Sequence, residues 1–286
     1  MFSLDKNGPL QNLHLKINPI VSKGLKSLFL LNQSHLVVCG LPRSGTSLLY
    51  NMISSSLSGY RFEQFEQYFV FRLHRLGNWA TKAPLDILHI NQIDTLNINR
   101  KKLIILIMVR DIRDVISSRH PILPDEYFIG YDYSWWPQNN KFTKWQYDAP
   151  GVVAIHWAIQ DAIKQRSDVM LIRYEDLVSS PDTMQNEIAK KFGLLFQTKF
   201  SEYHKNPQKH AYRYEGKYTP KDPSLVMEGQ KSSTERVARW KQSQEQIQRV
   251  KQQFYECKEL FDILEAYGYE TSRDWHIELF PRIAQP

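Results

Sequence analysis

The chain has 286 residues, of which 42% are hydrophobic and 23% charged, a composition typical of a globular enzyme rather than a disordered or fibrous protein. Its longest apolar run, 103–109, is far shorter than the roughly 20 residues that a membrane-spanning helix needs, so no integral membrane segment is expected. The net charge of +7 is spread along the chain without dense basic blocks, which argues against a nucleic-acid partner.

The N-terminal part of the chain predicts a strand, a loop and a helix in that order. Leu36–Cys39 is a short apolar run of strand type, and apolar residues recur at helical spacing over 48–57. Between them, Gly40-Leu-Pro-Arg-Ser-Gly-Thr-Ser47 has the outline of a phosphate-binding loop, but Thr46 replaces its lysine. Because that lysine reaches the β- and γ-phosphates of a nucleoside triphosphate, this loop is expected to hold a different phosphate ligand.

The rest of the chain alternates between strand-like and helix-like segments. The predicted elements are a buried strand at 103–109, a helix beginning at Val115 and Ile116, a helix over 152–163, a strand at 169–172, a helix over 181–192 and one amphipathic helix from Ile247 through Leu264 to near Gly268. This alternation predicts an α/β fold of the P-loop NTPase-like type, with a central parallel sheet between two layers of helices.

Two segments carry groups suited to phosphate. The backbone N–H groups of Ser44–Ser47, the positive end of the helix dipole and the Arg43 side chain can surround one anion. Arg110 follows the second strand, and Ser118 is expected about two turns into the next helix, where its hydroxyl could reach the same anion as Arg110. Two structural alternatives stay open: the loop could be a tight turn, and Arg110 could pair with Asp111 or Asp114 while Ser118 faces solvent.

These two motifs, together with Arg173-Tyr-Glu-Asp-Leu177 and Arg239-Trp-Lys241, resemble the sulfotransferases that use 3′-phosphoadenosine 5′-phosphosulfate (PAPS). The resemblance runs from about Leu36 to Gly268, and it is closer to the carbohydrate, tyrosylprotein and bacterial branches than to the cytosolic small-molecule branch. It implies PAPS as donor, 3′-phosphoadenosine 5′-phosphate (PAP) as product and no metal. The residues that it assigns to the donor are Arg43, Ser44, Gly45, Thr46 and Ser47 for the 5′-phosphosulfate, Arg110 and Ser118 for the 3′-phosphate, and Tyr174 near the adenine.

The resemblance also suggests the catalytic groups. Lys82, in Thr-Lys-Ala-Pro84, resembles the lysine-proline motif of the carbohydrate and tyrosylprotein branches, and with Arg43 it is a candidate cation for the leaving phosphate. No histidine lies in 78–88, so a carboxylate is expected to be the general base. Glu63 is preferred, because it follows the loop helix at the interval seen in those branches, and Glu66 is the alternative. Lys82, Glu63 and Glu66 could each instead be an ordinary solvated charge.

The acceptor is expected to be a carbohydrate or another small metabolite with a hydroxyl or amine. Aromatic side chains crowd 121–150, where they could bind a sugar or phenol or could pack as a lid. The basic and aromatic stretch 203–218 could close over the donor or be an exposed loop. Two other functions remain open, a nucleotide-dependent kinase, against which Thr46 argues, and a non-catalytic binder of anionic polymers.

Domain organisation and location follow from length and from the N-terminus. One large core can hold a chain of this length, so a single domain over 1–286, with its core at about 36–268, is expected. The N-terminus lacks the apolar centre and cleavage site of a signal peptide, which predicts a cytoplasmic protein. A homodimer is compatible with these features.

Overall fold

The computed structural model describes residues 33–118, 151–206 and 233–279, together with the backbone of two short strands between the first two ranges. The strands are β1 Ser34–Gly40, β2 Arg61–Phe62, β3 Trp79–Lys82, β4 Lys102–Val109, β5 Tyr127–Phe128, β6 Trp136–Pro137 and β7 Val169–Arg173. The α-helices are α1 Thr46–Ser56, α2 Ile93–Leu96, α3 Ile112–Ile116, α4 Val152–Gln165, α5 Tyr174–Ser179, α6 Pro181–Phe192, α7 Gln244–Glu256, α8 Glu259–Ala266 and α9 Asp274–Leu279. Shorter 3-10 helices cover Phe69–Phe71, Pro84–Gln92, Phe200–Lys205, Thr234–Arg236 and Arg239–Lys241.

Five strands form a parallel sheet in the order β2-β3-β1-β4-β7. The side chains of β1 alternate between its two faces, with Leu36 and Val38 in one apolar cluster and Val37 and Cys39 in the other. Both clusters are buried, so helices cover the sheet on both sides. The predicted α/β fold, with a parallel sheet between two helical layers, is confirmed.

Each helical layer buries one stripe of apolar side chains. Helices α1 and α6 pack on the face of Leu36 through residues such as Leu48 and Ile188. Helices α4, α7 and α8 pack on the opposite face through residues such as Ile159 and Phe254. The carboxyl ends of the parallel strands lie between these layers, which is where ligands bind in sheets of this kind.

The strands predicted at 36–39, 103–109 and 169–172 are confirmed within β1, β4 and β7. The helix predicted over 181–192 has the expected bounds, with Gly193 in the left-handed conformation at its end. The short strands β2 and β3 were not predicted, because the sequence between Gly59 and Pro84 has no clear period. The prediction of a single domain over 1–286 stays a prediction.

Two predicted helices differ from the observed ones. The amphipathic pattern after Ile247 forms α7 and α8 instead of one helix, because Cys257 adopts an extended backbone with φ −130° and ψ 105°. The apolar spacing continues across this break since both helices face one core, where the Phe254 and Phe261 rings lie 4.9 Å apart. Helix α3 ends at Ile116, so Ser118 lies beyond the helix rather than two turns into it.

Candidate active site

The loop between β1 and α1 is held against the end of β4. Leu41 N–H donates to the carbonyl of Met108 at 2.9 Å, and a Cβ at Gly40, where φ is 123°, would lie 2.2 Å from the same oxygen. The Ser44 hydroxyl donates to the carbonyls of Leu41, at 2.5 Å, and Met108, at 3.2 Å, and the Ser44 N–H also donates to Leu41. Both donors of Ser44 therefore stabilise the loop, which differs from the expectation that this residue faces an anion.

The first turn of α1 begins at Thr46, directly after Gly45. Among the described residues, no side chain caps this end, so the first N–H groups of the helix have no partner within it and lie at the positive end of its dipole. Gly45 has φ 92°, and a Cβ there would lie 2.6 Å from Cδ2 of Tyr174. Only glycine fits this contact, which lets the backbone of the loop lie directly on the tyrosine ring.

A lysine from the neighbouring strand reaches the loop. Strand β3 is parallel to β1, with Lys82 paired to Val38. The Lys82 ammonium donates to Oγ of Ser47 at 3.2 Å and to Oε1 of Glu66 at 2.6 Å, and the side chain is only 1% exposed. Burial lowers the pKa of Lys82, and the attraction of Glu66 opposes that shift. A cation thus lies at the loop although the loop sequence has no lysine.

The two candidate carboxylates have different partners. Both oxygens of Glu63 accept from the Arg72 guanidinium, one of them from Nη2 at 3.2 Å. Glu66 contacts Lys82, and its side chain is 53% exposed. The structure therefore brings Glu66 together with Lys82 and Ser47, whereas Glu63 points to Arg72.

Arg110 lies beside the loop and also pairs with Asp114, which is one of the two structural alternatives left open by the sequence. Its Nη1 donates to the carbonyl of Arg43 at 3.3 Å, and Nη2 donates to Oδ2 of Asp114 at 3.2 Å and to the carbonyl of Arg236. Its guanidinium carbon is 4.4 Å from the centroid of the Tyr174 ring. Nε of Arg110 is buried and has no hydrogen-bond acceptor among the described residues. Among the described residues, Nε–H of this guanidinium therefore remains for a ligand beside the loop.

Asp114 connects Arg110 to the segment before α7. Its carboxylate accepts the N–H groups of Ala238 and Trp240, both at 3.0 Å, in addition to Arg110. Burial raises the pKa of Asp114, and the charge of Arg110 opposes the shift. Trp240 is fully buried and stacks with Arg113, whose guanidinium carbon is 4.7 Å from its ring. The backbone at the Arg239-Trp-Lys241 stretch therefore holds the Arg110 side chain in place indirectly, through the Asp114 carboxylate.

Ser118 and Tyr174, the other two predicted donor-site residues, have well-defined surroundings. The Ser118 hydroxyl donates to the carbonyl of Val115 at 2.9 Å, so binding a phosphate would require it to exchange this acceptor. Tyr174 is 4% exposed, and its ring lies between Gly45 and Arg110. Burial raises the pKa of its hydroxyl against the opposing charge of Arg110. The hydroxyl therefore stays protonated at neutral pH.

Sequence patterns did not find two features of this site. Arg236 contacts Arg110 through its backbone carbonyl, which no side-chain pattern reports. The contact between Lys82 and Ser47 depends on the pairing of β3 with β1, and β3 is too short to show a period. The aromatic stretch 121–150, apart from the backbone of β5 and β6, and residues 207–232 lie outside the described residues.

A family model described as a sulfotransferase domain matches residues 33–254, which is most of the chain. The chain belongs to the sulfotransferase domain family. Two solved structures are similar to it: the sulfotransferase domain of the olefin synthase from Synechococcus PCC 7002 and mouse sulfotransferase SULT7A1 complexed with PAP. The first is 16% identical with a TM-score of 0.40, over 84% of this chain and 96% of that one. The second is 13% identical with a TM-score of 0.43, over 79% of this chain and 84% of that one.

No curated protein matches the sequence significantly. Membership of the sulfotransferase family supports sulfuryl transfer and does not favour a nucleotide-dependent kinase or a non-catalytic polymer binder. Within the described ranges, no helix is long and apolar enough to cross a bilayer. The same ranges contain no cluster of three or more His, Cys, Asp or Glu side chains that could hold a metal ion.

Proposed function

We propose that this sulfotransferase takes its sulfuryl group from PAPS and transfers it to a hydroxyl, or an amine, of a carbohydrate or other small acceptor. The observation that carries the proposal is the Lys82 ammonium, which lies between the hydroxyl of Ser47 and the carboxylate of Glu66. It places a cation, a helix N-terminus and a carboxylate together at the carboxyl ends of the strands.

The described residues suit a donor with two separate anionic groups. The 5′-phosphosulfate would bind the N–H groups at the start of α1, the Thr46 and Ser47 hydroxyls, Lys82 and Arg43. The 3′-phosphate would bind Nε of Arg110, a buried donor that has no acceptor among the described residues, and Ser118 after rotation of its hydroxyl. Tyr174, fixed against Gly45 and Arg110, would border the adenine.

The reaction forms one bond and breaks one at sulfur. The acceptor oxygen attacks the sulfur atom, the bond from sulfur to the bridging phosphate oxygen breaks, and PAP leaves with that oxygen. Lys82 and Arg43 supply positive charge where the leaving phosphate becomes more negative. The acceptor proton moves to a carboxylate, so that the sulfate ester, PAP and one proton are the products.

We assign the general base to Glu66 in preference to Glu63. Glu66 is held 2.6 Å from Lys82, so it lies close to the atom at which the donor would react, and it is half exposed and open to an acceptor. Glu63 is bound through both oxygens by the Arg72 guanidinium rather than by Lys82. A cytoplasmic location and a homodimer stay predictions of the sequence.

Calorimetric titration with PAP, with and without Mg²⁺, tests the donor. Wild type and the Arg166→Gln variant should bind PAP without metal, while Arg110→Gln should bind about tenfold to a hundredfold more weakly. Arg166 is a matched control, because its side chain is also nearly buried and paired, with Asp94 and Asp168, and it precedes β7 at the opposite end of the sheet. Absence of PAP binding by wild type, or equal binding of ATP, would refute the proposal.

A further inference from the structure

A buried tyrosine of helix α1 contacts the start of the segment that carries the two candidate carboxylates. Tyr50 lies in the second turn of α1, and its side chain is fully buried. Its hydroxyl donates to the carbonyl of Ala80 in β3 at 2.8 Å and accepts the N–H of Glu63 at 2.9 Å. A phenol has a single O–H to donate, and this one is directed at the backbone of β3. One hydroxyl thus joins α1, β3 and the chain that follows β2.

The Tyr50 hydroxyl lies where the pairing of β2 with β3 ends. Phe62 is the last residue of β2 and pairs with Ala80. The next N–H, that of Glu63, also donates to the Ala80 carbonyl, at the longer distance of 3.3 Å. The Tyr50 ring meets the Phe62 ring edge to face, with centroids 5.6 Å apart, which limits the directions that the hydroxyl can take. The hydroxyl therefore strengthens the last contact between the two strands.

The segment 63–67 is anchored to β3 at both ends. Glu63, at its start, is held by the contacts just described, and the N–H of Gln67, at its end, donates to the carbonyl of Lys82 at 3.1 Å. Glu66, the assigned base, directly precedes this second anchor. Because the segment between the anchors is so short, a shift of either anchor moves the Glu66 carboxylate relative to Lys82.

Tyr50 and Ser47 connect α1 to the same strand. Residues three apart lie on one side of a helix, and here Ser47 contacts the Lys82 side chain while Tyr50 contacts the Ala80 carbonyl. Lys82 and Ala80 are two residues apart in β3, so their side chains point to the same face of the sheet. The helix that begins at the candidate donor loop is thus joined to β3 twice, and the second contact includes the segment with the base.

Tyr50 does not itself transfer a proton in this arrangement. Burial raises the pKa of its hydroxyl, which therefore stays protonated at neutral pH. Group transfer depends on the alignment of base, acceptor and donor, and a displacement of about 1 Å can lower the rate roughly 10²-fold. The hydroxyl can therefore affect the reaction through position alone.

We propose that Tyr50 is a positioning residue, whose hydroxyl holds the segment 63–67, and with it Glu66, in place relative to a donor bound at the start of α1. The proposal rests on the proposed function, because it takes Glu66 to be the base and PAPS to be the donor. The hydroxyl then contributes to the rate of transfer and not to the affinity for the donor.

The test compares Tyr50→Phe, which removes only the hydroxyl, with the matched control Tyr267→Phe. Tyr267 is also buried, and its hydroxyl is 2.9 Å from Nδ1 of His156 in the opposite helical layer. Hydrogen exchange is measured at the Glu63 and Gln67 amides. The rate of PAPS consumption is measured with water, glucose, glucosamine and 4-nitrophenol as acceptors, and PAP affinity is measured by calorimetry.

Tyr50→Phe should speed the exchange of both amides about tenfold, because the Glu63 N–H keeps only its longer bond and the segment loosens as a unit. PAPS consumption should slow about tenfold to a hundredfold, while the KM for PAPS and the Kd of PAP change less than about twofold. The Glu63 N–H and the Ala80 carbonyl still bond each other, so the thermal unfolding midpoint should fall by only about 2–4 °C. Tyr267→Phe should lower the midpoint similarly and leave exchange and rate unchanged.

Combining Tyr50→Phe with Glu66→Gln separates positioning of the base from a general loss of structure. If the hydroxyl acts through Glu66, its removal should lower the rate less than about twofold once the carboxylate is already gone. Two losses that multiply in full would show that the hydroxyl acts through the fold as a whole, and would overturn the proposal.

An unchanged rate in Tyr50→Phe, or faster exchange at Glu63 without a change at Gln67, would also overturn the positioning role. Weaker PAP binding by this variant would overturn it too, because the hydroxyl would then act on the donor. Failure of wild type to bind PAP, or to consume PAPS with any of the four acceptors, would instead count against the proposed function, and the role in transfer would fall with it. The exchange measurement needs neither donor nor acceptor, so it decides separately whether the hydroxyl holds the segment.

Discussion

Replacing Lys82 with methionine removes the ammonium group at the loop while keeping the length and approximate volume of a buried side chain. The ammonium is 3.2 Å from the Ser47 hydroxyl and 2.6 Å from the Glu66 carboxylate. A donor phosphate at the loop would lose this cation in Lys82→Met. The Glu66 charge would then face the donor without compensation, which adds repulsion to the lost attraction.

The size of the effect follows from the distances and the burial. Two unit charges about 4 Å apart interact by about 4 kcal/mol at an effective dielectric constant of about 20. Glu66 is half exposed and already neutralises part of the Lys82 charge, which reduces the interaction to about 3 kcal/mol. The dissociation constant of PAP should therefore rise roughly 10²-fold. Lys82→Met/Glu66→Gln should recover part of this loss, because the uncompensated carboxylate is gone.

Calorimetric titration with PAP measures this effect without knowledge of the acceptor. Lys101→Met is the matched control, because Lys101 is also buried but precedes β4 at the opposite end of the sheet. Burying an ammonium costs free energy, so Lys101→Met should not lower the thermal unfolding midpoint. Lys82→Met should lower it only slightly, because the Glu66 carboxylate that it leaves unpaired is half exposed to water. A change in PAP affinity of less than threefold in Lys82→Met, or an equal change in Lys101→Met, would refute the role assigned to Lys82.

Three further predictions concern the base, the loop and acid stability. Glu66→Gln should lower kcat for sulfuryl transfer by about 10²- to 10⁴-fold, and Glu63→Gln should change kcat much less; the opposite order would restore Glu63 as the base. In urea titrations, Gly59→Ala should lower the free energy of unfolding by about 1 kcal/mol because of the positive φ at this position. Gly45→Ala should lower it by about 1–3 kcal/mol more, because its Cβ would clash with the Tyr174 ring. Equal losses would contradict that contact. Burial lowers the pKa of His35 from 6.5 to about 3, so its contribution to stability is complete above pH 6.5 and is lost as the pH falls towards 3. His35→Asn should remove up to about 5 kcal/mol of that pH dependence, and an unchanged pH profile would contradict the buried, neutral imidazole.

The sequence predicted the three longest strands and the loop because their signals are local. Leu36–Cys39 and 103–109 are continuous apolar runs, and the loop is a short motif of fixed spacing. The helix after Ile247 was mispredicted because the apolar period is the same on both sides of the break at Cys257. Periodicity reports which side chains face the core, but it does not report one residue with an extended backbone.

The candidate site was predictable by residue type but not by contact. Lys82 and Glu66 were both candidates, yet their contact depends on the register between β1 and β3 and on the path of a segment without a regular period. The partner of Glu63 could not be found, because Arg72 reaches it across a turn of irregular chain. The sequence therefore identified the charged groups, and only the fold showed which of them meet.

The position of Lys82 on β3 makes donor recognition, as proposed above, depend on strand pairing. In a loop of the Walker type, the lysine and the phosphate-binding backbone belong to one continuous segment, which can carry its specificity into another protein. Here the cation and the loop belong to different strands, joined through the pairing of Val38 with Lys82. A register shift of one residue between these strands would move Lys82 to the opposite face of the sheet. Transplanting 40–47 alone would therefore carry the loop and Arg43 without Lys82, and a molecule that has not yet paired β3 with β1 would lack part of the proposed donor site.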